Sequence, residues 1–340
     1  MPGLHSGNRW LARLAAAALV IIFCIVAITP AAATPASQSE PSTAEGYYAR
    51  AMVHSDKAEH DEAIADFTRA IELDPEYAAA YMNRGLVYGA QEMYDEAIKD
   101  LDEAIRLDPE MDDVFYDRGY VFYLTSAFDA ALADFNEAIK RNPSSGQAYV
   151  MRGLVYYMQS RLDEAVTDFE KAIRLDPKDD IAWGNLGNTN YLLGEFAKAF
   201  SEYETAIKLN PHSAFSYFGR GNIYYQRRQY DDAMNDYERA IKNDPSQARY
   251  FLGRGNVYYL RADYEAALKD LETALALDPM LADAYMSRAY VYYMAEDYQA
   301  ALDDWEQYEK IAGSFPRQAE EYRTYARDAL LERLLGKRLR

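Results

Sequence analysis

Cysteine is all but missing. The one thiol, Cys24, lies in an apolar run near the N-terminus, so the body of the chain cannot form a disulfide, a thiol nucleophile or a cysteine-ligated metal site. It must hold together by packing alone. Histidine is nearly as scarce. His5, His54, His60 and His212 are the four, and no pair has the spacing of a metal-binding helix or a catalytic triad. Positive charge is outnumbered, with 36 lysines and arginines against 55 acids and a net charge of -19. Nucleic-acid phosphates and anionic lipid surfaces repel such a body, which leaves neutral, apolar or basic partners. The basic tail "RLLGKRLR" is the local exception, and cations there suit a helix C-terminus.

Long hydrophobic runs are confined to one place. Arg9 and Arg13 precede the apolar stretch Leu14 to Thr29, which Pro30 breaks before Ala31-Ala32-Ala33. A positive flank, an apolar run and small residues are the parts of a signal peptide, so residues 1–33 are expected to direct export. A cleaved signal is favoured over an uncleaved membrane anchor through residues 14–29. Either outcome places the rest in the periplasm or at the envelope. Residues 34–43, "TPASQSEPST", read as a polar linker.

Beyond the linker the chain repeats. Pro75, Pro109, Pro143, Pro177, Pro211, Pro245 and Pro279 are each 34 residues apart, and each follows Asp or Asn, a pairing that stops a helix and opens a turn. Eight units result, at 44–77, 78–111, 112–145, 146–179, 180–213, 214–247, 248–281 and 282–315, followed by residues 316–340 as a capping helix and basic tail. A small residue recurs at the eighth slot of each unit (Gly85, Gly119, Gly153) and again at the twentieth (Ala97, Ala131, Ala165). Two antiparallel helices, A and B, would cross where neither side chain is bulky. Tyr81, Trp183 and Tyr217 on helix A, with Phe67, Phe135, Tyr203 and Trp305 on helix B, would fill the remaining space.

This pattern, an aromatic, then Gly, Tyr, Ala, Phe, Ala and Pro in fixed register, resembles the tetratricopeptide repeat family over residues 44–315. The resemblance implies an all-α, right-handed superhelical solenoid of antiparallel helix pairs with a C-terminal cap. The eighth repeat departs from the pattern at Ala289, Tyr308 and Gly313, as a last repeat does. Leu330, Leu331, Leu334 and Leu335 are expected to cover its apolar face.

The seventh slot is usually leucine in this family. Here it is Arg50, Arg84, Arg118, Arg152, Arg220, Arg254 and Arg288, with Leu186 the exception, and helix B carries Asp66, Asp100, Asp134, Asp168, Asp236, Asp270 and Asp304 at a matching slot. Where the arginine is lost the aspartate becomes Glu202. An Arg–Asp pair bridging the two helices is the expected arrangement. A row of arginines gripping an acidic ligand is the alternative.

No catalyst is expected. The "GRGN" runs at Gly219 and Gly253 lack the third glycine of a phosphate loop and sit within a helix. A solenoid of like repeats offers no unique acid–base pair and calls for no cofactor or metal.

The resemblance places function on the concave side, lined by helix A. Its twelfth slot reads Tyr123, Tyr157, Tyr191, Tyr225, Tyr259 and Tyr293 from the third repeat on, and the ninth reads Asn188, Asn222 and Asn256 in three consecutive repeats. Amides satisfy peptide groups of any sequence, and tyrosine supplies rigid apolar area with a hydroxyl. These nine residues are the candidate groove for a peptide or protein segment, neutral or basic in charge. Removing the three asparagines is expected to leave stability unchanged. The competing reading is that the tyrosines only pack between repeats. In the doublet of "GNIYYQRRQY", Tyr224 is expected to be the core residue and Tyr225 the groove residue. Chaperone tails are not expected, because the second, fifth and sixth slots lack the basic residues that grip them, Arg249 apart. A non-enzymatic scaffold is the leading function. A self-associating module that forms homo-oligomers is the alternative, and sugar binding on the tyrosine ladder is more remote.

Overall fold

The computed structural model describes residues 40–338 with the exception of 112. The leader and most of the linker therefore lie outside the described residues. Among the described residues there is no strand, and no helix is long and apolar enough to cross a membrane. The chain divides into two compact bodies between residues 177 and 178. The N-terminal body holds repeats 1 to 4 as α1 (Ala44–Asp56), α2 (His60–Leu73), α3 (Ala78–Ala90), α4 (Tyr94–Leu107), α5 (Val114–Leu124), α6 (Phe128–Arg141), α7 (Gly146–Met158) and α8 (Leu162–Leu175). The C-terminal body holds repeats 5 to 8 as α9 (Asp180–Leu192), α10 (Phe196–Leu209), α11 (Ala214–Gln226), α12 (Tyr230–Asn243), α13 (Ala248–Leu260), α14 (Tyr264–Leu277), α15 (Ala282–Met294) and α16 (Tyr298–Ala312). A 3-10 turn (Arg317–Ala319) then leads into α17 (Glu320–Arg338). Odd-numbered helices up to α15 are helix A of a repeat, and even-numbered ones are helix B.

Each helix has a local reason to start and stop. Helix B opens on acids in its first turn, such as Asp95 with Glu96 and Asp231 with Asp232, which complement the helix dipole. It ends at the Asp/Asn–Pro pair because the side-chain Oδ1 of that residue accepts from the backbone N–H two positions on. Asp74 takes Glu76, Asn142 takes Ser144, Asn210 takes His212 and Asp278 takes Met280, at 2.9–3.1 Å. The proline has no N–H to compete for that acceptor.

The A-to-B turn puts its fifteenth-slot residue in the left-handed region every time: Ala58, Glu92, Ser126, Ser160, Arg228, Ala262 and Glu296, with φ of 57–61°. Only repeat 5 uses glycine there, Gly194. A side chain in this conformation costs about 1 kcal/mol, part of which glycine returns as chain entropy. Arg228→Gly is therefore expected to raise stability by about 0.5 kcal/mol, read as a higher urea midpoint at unchanged slope.

Small and large residues interlock as the spacing requires. Ala97, Ala131 and Ala165 are fully buried, and so are Phe67, Leu101, Phe135 and Phe169. Within each body, helices A of successive repeats pack on one another more closely than helices B do. The A layer is thus the closer-packed, inner one, and a surface lined by helix A is the concave side of that body.

The cap departs from expectation. Leu331 and Leu335 are 55% and 57% exposed, and only the backbone is described at Leu334. Ala319 in the 3-10 turn and Ala326 on α17, seven residues apart and both buried, set the packed stripe of the cap. Tyr322, Tyr325 and Ala329 fall on or beside that stripe and lie over the last repeat, which turns Leu331 and Leu335 outward while Leu330 is half-buried.

Candidate functional site

The seventh-slot arginines are committed to structure. In each of the seven repeats that carry one, the guanidinium makes a bidentate pair with its own helix B aspartate. Arg220 Nε and Nη2 donate to Asp236 at 2.8 Å each, and Arg84 does the same to Asp100 at 2.7 and 2.9 Å. The aspartates are buried, Asp236 to 4% exposure. In six of these repeats two aromatic rings of helix A also lie against the guanidinium, and repeat 1 has Tyr47 alone with His54 in place of the second. Arg220 lies 5.7 Å from the ring centre of Tyr217 and 5.8 Å from that of Tyr224, and Arg118 sits likewise between Phe115 and Phe122. In the N-terminal body a third bond reaches back to the preceding helix B, from Arg84 to Thr68, Arg118 to Asp102 and Arg152 to Asn136. Repeat 5 substitutes the whole set. Leu186 replaces the arginine, and Asn190, in the place of the second aromatic, donates to both oxygens of Glu202 at 2.8 and 2.9 Å.

This refines the reading of the tyrosine doublet, since Tyr224 and Tyr225 both pack against the core of repeat 6. Tyr224 is half-buried and serves as one jaw on Arg220, packed edge-on against Phe200 at 5.3 Å. The buried core residue of that turn is the one before it, Ile223, at 1% exposure.

The asparagines divide into two kinds. Asn222 Oδ1 accepts from the hydroxyl of Tyr237 at 2.9 Å, and Asn188 Oδ1 accepts from that of Tyr203 at 2.7 Å. Both tyrosines are 1% exposed, so each asparagine serves a buried hydroxyl as its partner. Removing it is therefore expected to cost stability, where the slot alone suggests none. Asn222→Ala should destabilise by about 1–2 kcal/mol, because it leaves the Tyr237 hydroxyl unpaired in the core. Asn256 is different. Repeat 7 has Leu271 where the other two have tyrosine, and Asn256, half-exposed, makes no hydrogen bond to any described residue.

Room for Tyr203 and Tyr237 comes from glycines on both sides. A Cβ on Gly187 or Gly221 would stand 2.8 or 2.9 Å from Cε1 of the ring, and one on Gly219 or Gly253 of the next repeat would stand 2.3 or 3.0 Å from it. The sixth-slot glycines thus mark where helix B carries a tyrosine. The signal was in the sequence as three coupled positions, Asn at -15 and Gly at +16 from the tyrosine.

The twelfth-slot tyrosines also differ among themselves. In the N-terminal body Tyr123 and Tyr157 are 8% and 7% exposed, which removes their rings from the candidate surface. In the C-terminal body Tyr191, Tyr225 and Tyr259 are half-exposed, each leaning on the first aromatic of its own helix B: Phe196 at 5.3 Å, Tyr230 at 5.8 Å and Tyr264 at 6.2 Å. Gln226 of the next repeat donates to the Tyr191 hydroxyl at 2.6 Å. Tyr293 is taken up by the cap, with Tyr322 at 5.3 Å and Tyr325 at 5.9 Å, both edge-on. Burial pushes the Tyr225 hydroxyl up to about 12 and raises those of Tyr191 and Tyr259, so all three remain neutral hydroxyls at physiological pH. The accessible stretch of the row is therefore Tyr191, Tyr225, Asn256 and Tyr259, within one body.

A carboxyl outside this row stands out in the N-terminal body. Asp117, at the sixth slot of repeat 3, is pushed up to about 7, by burial first and by the Asp113 carboxylate second. A raised carboxyl binds more protons in the native state than in the unfolded one. Its contribution is present below about pH 4 and lost as pH rises to about 7. Asp117→Asn removes that loss, and since the side chain is partly exposed the expected gain at pH 8 is about 1–2 kcal/mol, vanishing at pH 4. Thermal melts at the two pH values measure it. Among the described residues no group of three or more His, Cys, Asp or Glu is placed to hold a metal ion.

Known proteins give the same picture. Family models described as tetratricopeptide repeat match residues 78–111, 116–180, 150–214 and 202–235, and one described as TPR repeat matches 56–92, 221–261 and 255–295. No curated protein matches the chain. Among solved structures, a tetratricopeptide repeat protein from Parabacteroides merdae is similar at 20% identity over 73% of this chain and 98% of its own, with a TM-score of 0.60. A chain of the APC/C hetero-tetramer Cut9–Hcn1 is similar at 17% identity over 82% of this chain and 55% of its own, with a TM-score of 0.65. Pseudomonas aeruginosa pilF is similar at 21% identity over 63% of this chain and 97% of its own, with a TM-score of 0.56. At such identities the likeness concerns the fold. With the repeat models covering repeats in both bodies, the chain belongs to the tetratricopeptide repeat family, whose members are protein-interaction scaffolds and in general not enzymes.

Proposed function

We propose that the concave row of the C-terminal body, Tyr191, Tyr225, Asn256 and Tyr259, receives an extended segment of another protein, and that the chain does so as a non-enzymatic scaffold exported to the cell envelope. The observation that carries this is Asn256. Its two neighbours in the row spend their carbonyl oxygens on buried tyrosines, whereas its own carboxamide has both a donor and an acceptor to offer on a half-exposed surface. An amide so placed reads a peptide backbone in the manner of a neighbouring strand, and the flanking tyrosines grip side chains through ring area and neutral hydroxyls. The acid-rich composition favours a neutral or basic segment.

Asn256→Ala combined with Tyr259→Ala tests this. Stability should fall by no more than about 2 kcal/mol, because the Asn256 amide bonds no described residue and Tyr259 is only partly buried against Leu271 and Val291. Affinity for the partner should fall at least about 100-fold, as loss of an aromatic anchor and a peptide-reading amide predicts. Unchanged affinity in a folded double variant would rule the row out.

A further inference from the structure

The sixth slot of helix A holds Asn83 in repeat 2, and its amide is fully used: it donates to Tyr48 Oη of the preceding repeat at 3.1 Å and to the Ala79 carbonyl at 2.8 Å. Asp117 occupies the same slot one repeat later. The residue there in the position of Tyr48 is Met82, and the helix B residue at the register of Tyr203 is Leu101, fully buried. Neither wall offers a donor. The Asp117 side chain, partly exposed on the inner layer, makes no hydrogen bond or ion pair with any described residue. Arg118 beside it is already held by Asp134 and Asp102. Tyr120, three residues on, shares the helix face of Asp117, whereas the Tyr116 ring packs on Phe135 of its own helix B at 5.9 Å. Asp113, one turn earlier and exposed, adds a second negative charge.

A carboxylate with apolar walls, an aromatic neighbour and no cation of its own has the composition of an ammonium seat. We propose that Asp117, with Tyr120 at its rim, binds a lysine side chain of a partner segment on the inner face of the N-terminal body. This stands apart from the row in the other body, so either can fail without the other. The absence of an internal cation agrees with the carboxyl's upward shift, since a bound ammonium would lower it.

The test uses the full chain at pH 8 and fixed ionic strength, titrated with Nα-acetyl-lysine methylamide and, in parallel, with its Nε-acetylated form. Binding is followed by NMR at the Asp117 carboxyl carbon and the Tyr120 ring. The seat predicts saturable shifts with the lysine probe, at least about five-fold weaker binding of the Nε-acetylated probe, and a fall in the Asp117 pKa when the lysine probe is bound. Asp117→Asn should lose the Tyr120 response by at least about five-fold. That variant is expected to fold, because asparagine already holds this slot in repeats 2 and 5 as Asn83 and Asn185. Equal shifts with both probes, no saturable shift, or an unchanged response in the variant would each overturn the assignment.

Discussion

Gly219→Ala is expected to destabilise the C-terminal body by about 3 kcal/mol, a severe effect for a single methyl group. The added carbon would lie 2.3 Å from Cζ and 2.6 Å from Oη of Tyr203. That ring has nowhere to go: Gly187 backs it at 2.8 Å, its hydroxyl is bonded to Asn188, and only 1% of it is exposed. Repeats 7 and 8 show how the same place is filled without conflict, with Leu271 on helix B and Ser287 at the sixth slot. Tyr203→Leu alone should cost about 2–4 kcal/mol through the space it vacates. Tyr203→Leu together with Gly219→Ser should cost at least about 2 kcal/mol less than the two single changes summed. Urea melts of the four proteins give that coupling. Additive costs would mean that the ring and the glycine do not share the space.

The second large effect concerns the arginine pairs. Asp236→Ala should cost about 3–5 kcal/mol, because Arg220 remains clamped between Tyr217 and Tyr224 with its charge unmatched. The pair itself contributes far less than that figure. Burial holds the Asp236 carboxyl above its ordinary value in spite of Arg220, so desolvation offsets much of the attraction. Replacing the whole set should then be mild. Arg220→Leu, Tyr224→Asn and Asp236→Glu together install the arrangement that repeat 5 uses at Leu186, Asn190 and Glu202, and should recover most of the loss. Thermal melts of the single and triple variants decide it, and a triple variant as unstable as Asp236→Ala would contradict this account.

The repeat period and the arginine–aspartate pairing were legible because they recur in register. The joint change to Leu186 and Glu202 in one repeat was itself the sign that the two positions touch. What escaped was whatever depended on a third residue. Tyr224 looked like core because it neighbours the crossing glycine, but Arg220 four residues earlier claims its ring. Asn188 and Asn222 looked like groove residues because they share a slot with Asn256. The tyrosines that occupy them lie fifteen residues away on the other helix, beyond any single-helix pattern. Tyr123 and Tyr157 share a slot with Tyr225, yet they are buried where Tyr225 is half-exposed. Leu331 and Leu335 face outward because the packed stripe of the cap is set by alanines, Ala319 and Ala326, whose hydrophobicity is slight.

The central claim is that the inner row of repeats 5 to 7 is where another protein binds. A photoreactive phenylalanine analogue placed at Tyr259, and separately at Arg239 on helix B of repeat 6, tests it in living cells. The account predicts one strong crosslinked product from position 259, lost when Asn256→Ala is added, and none of that mass from position 239. Equal products from both positions, or none from 259 in a folded and exported protein, would contradict it.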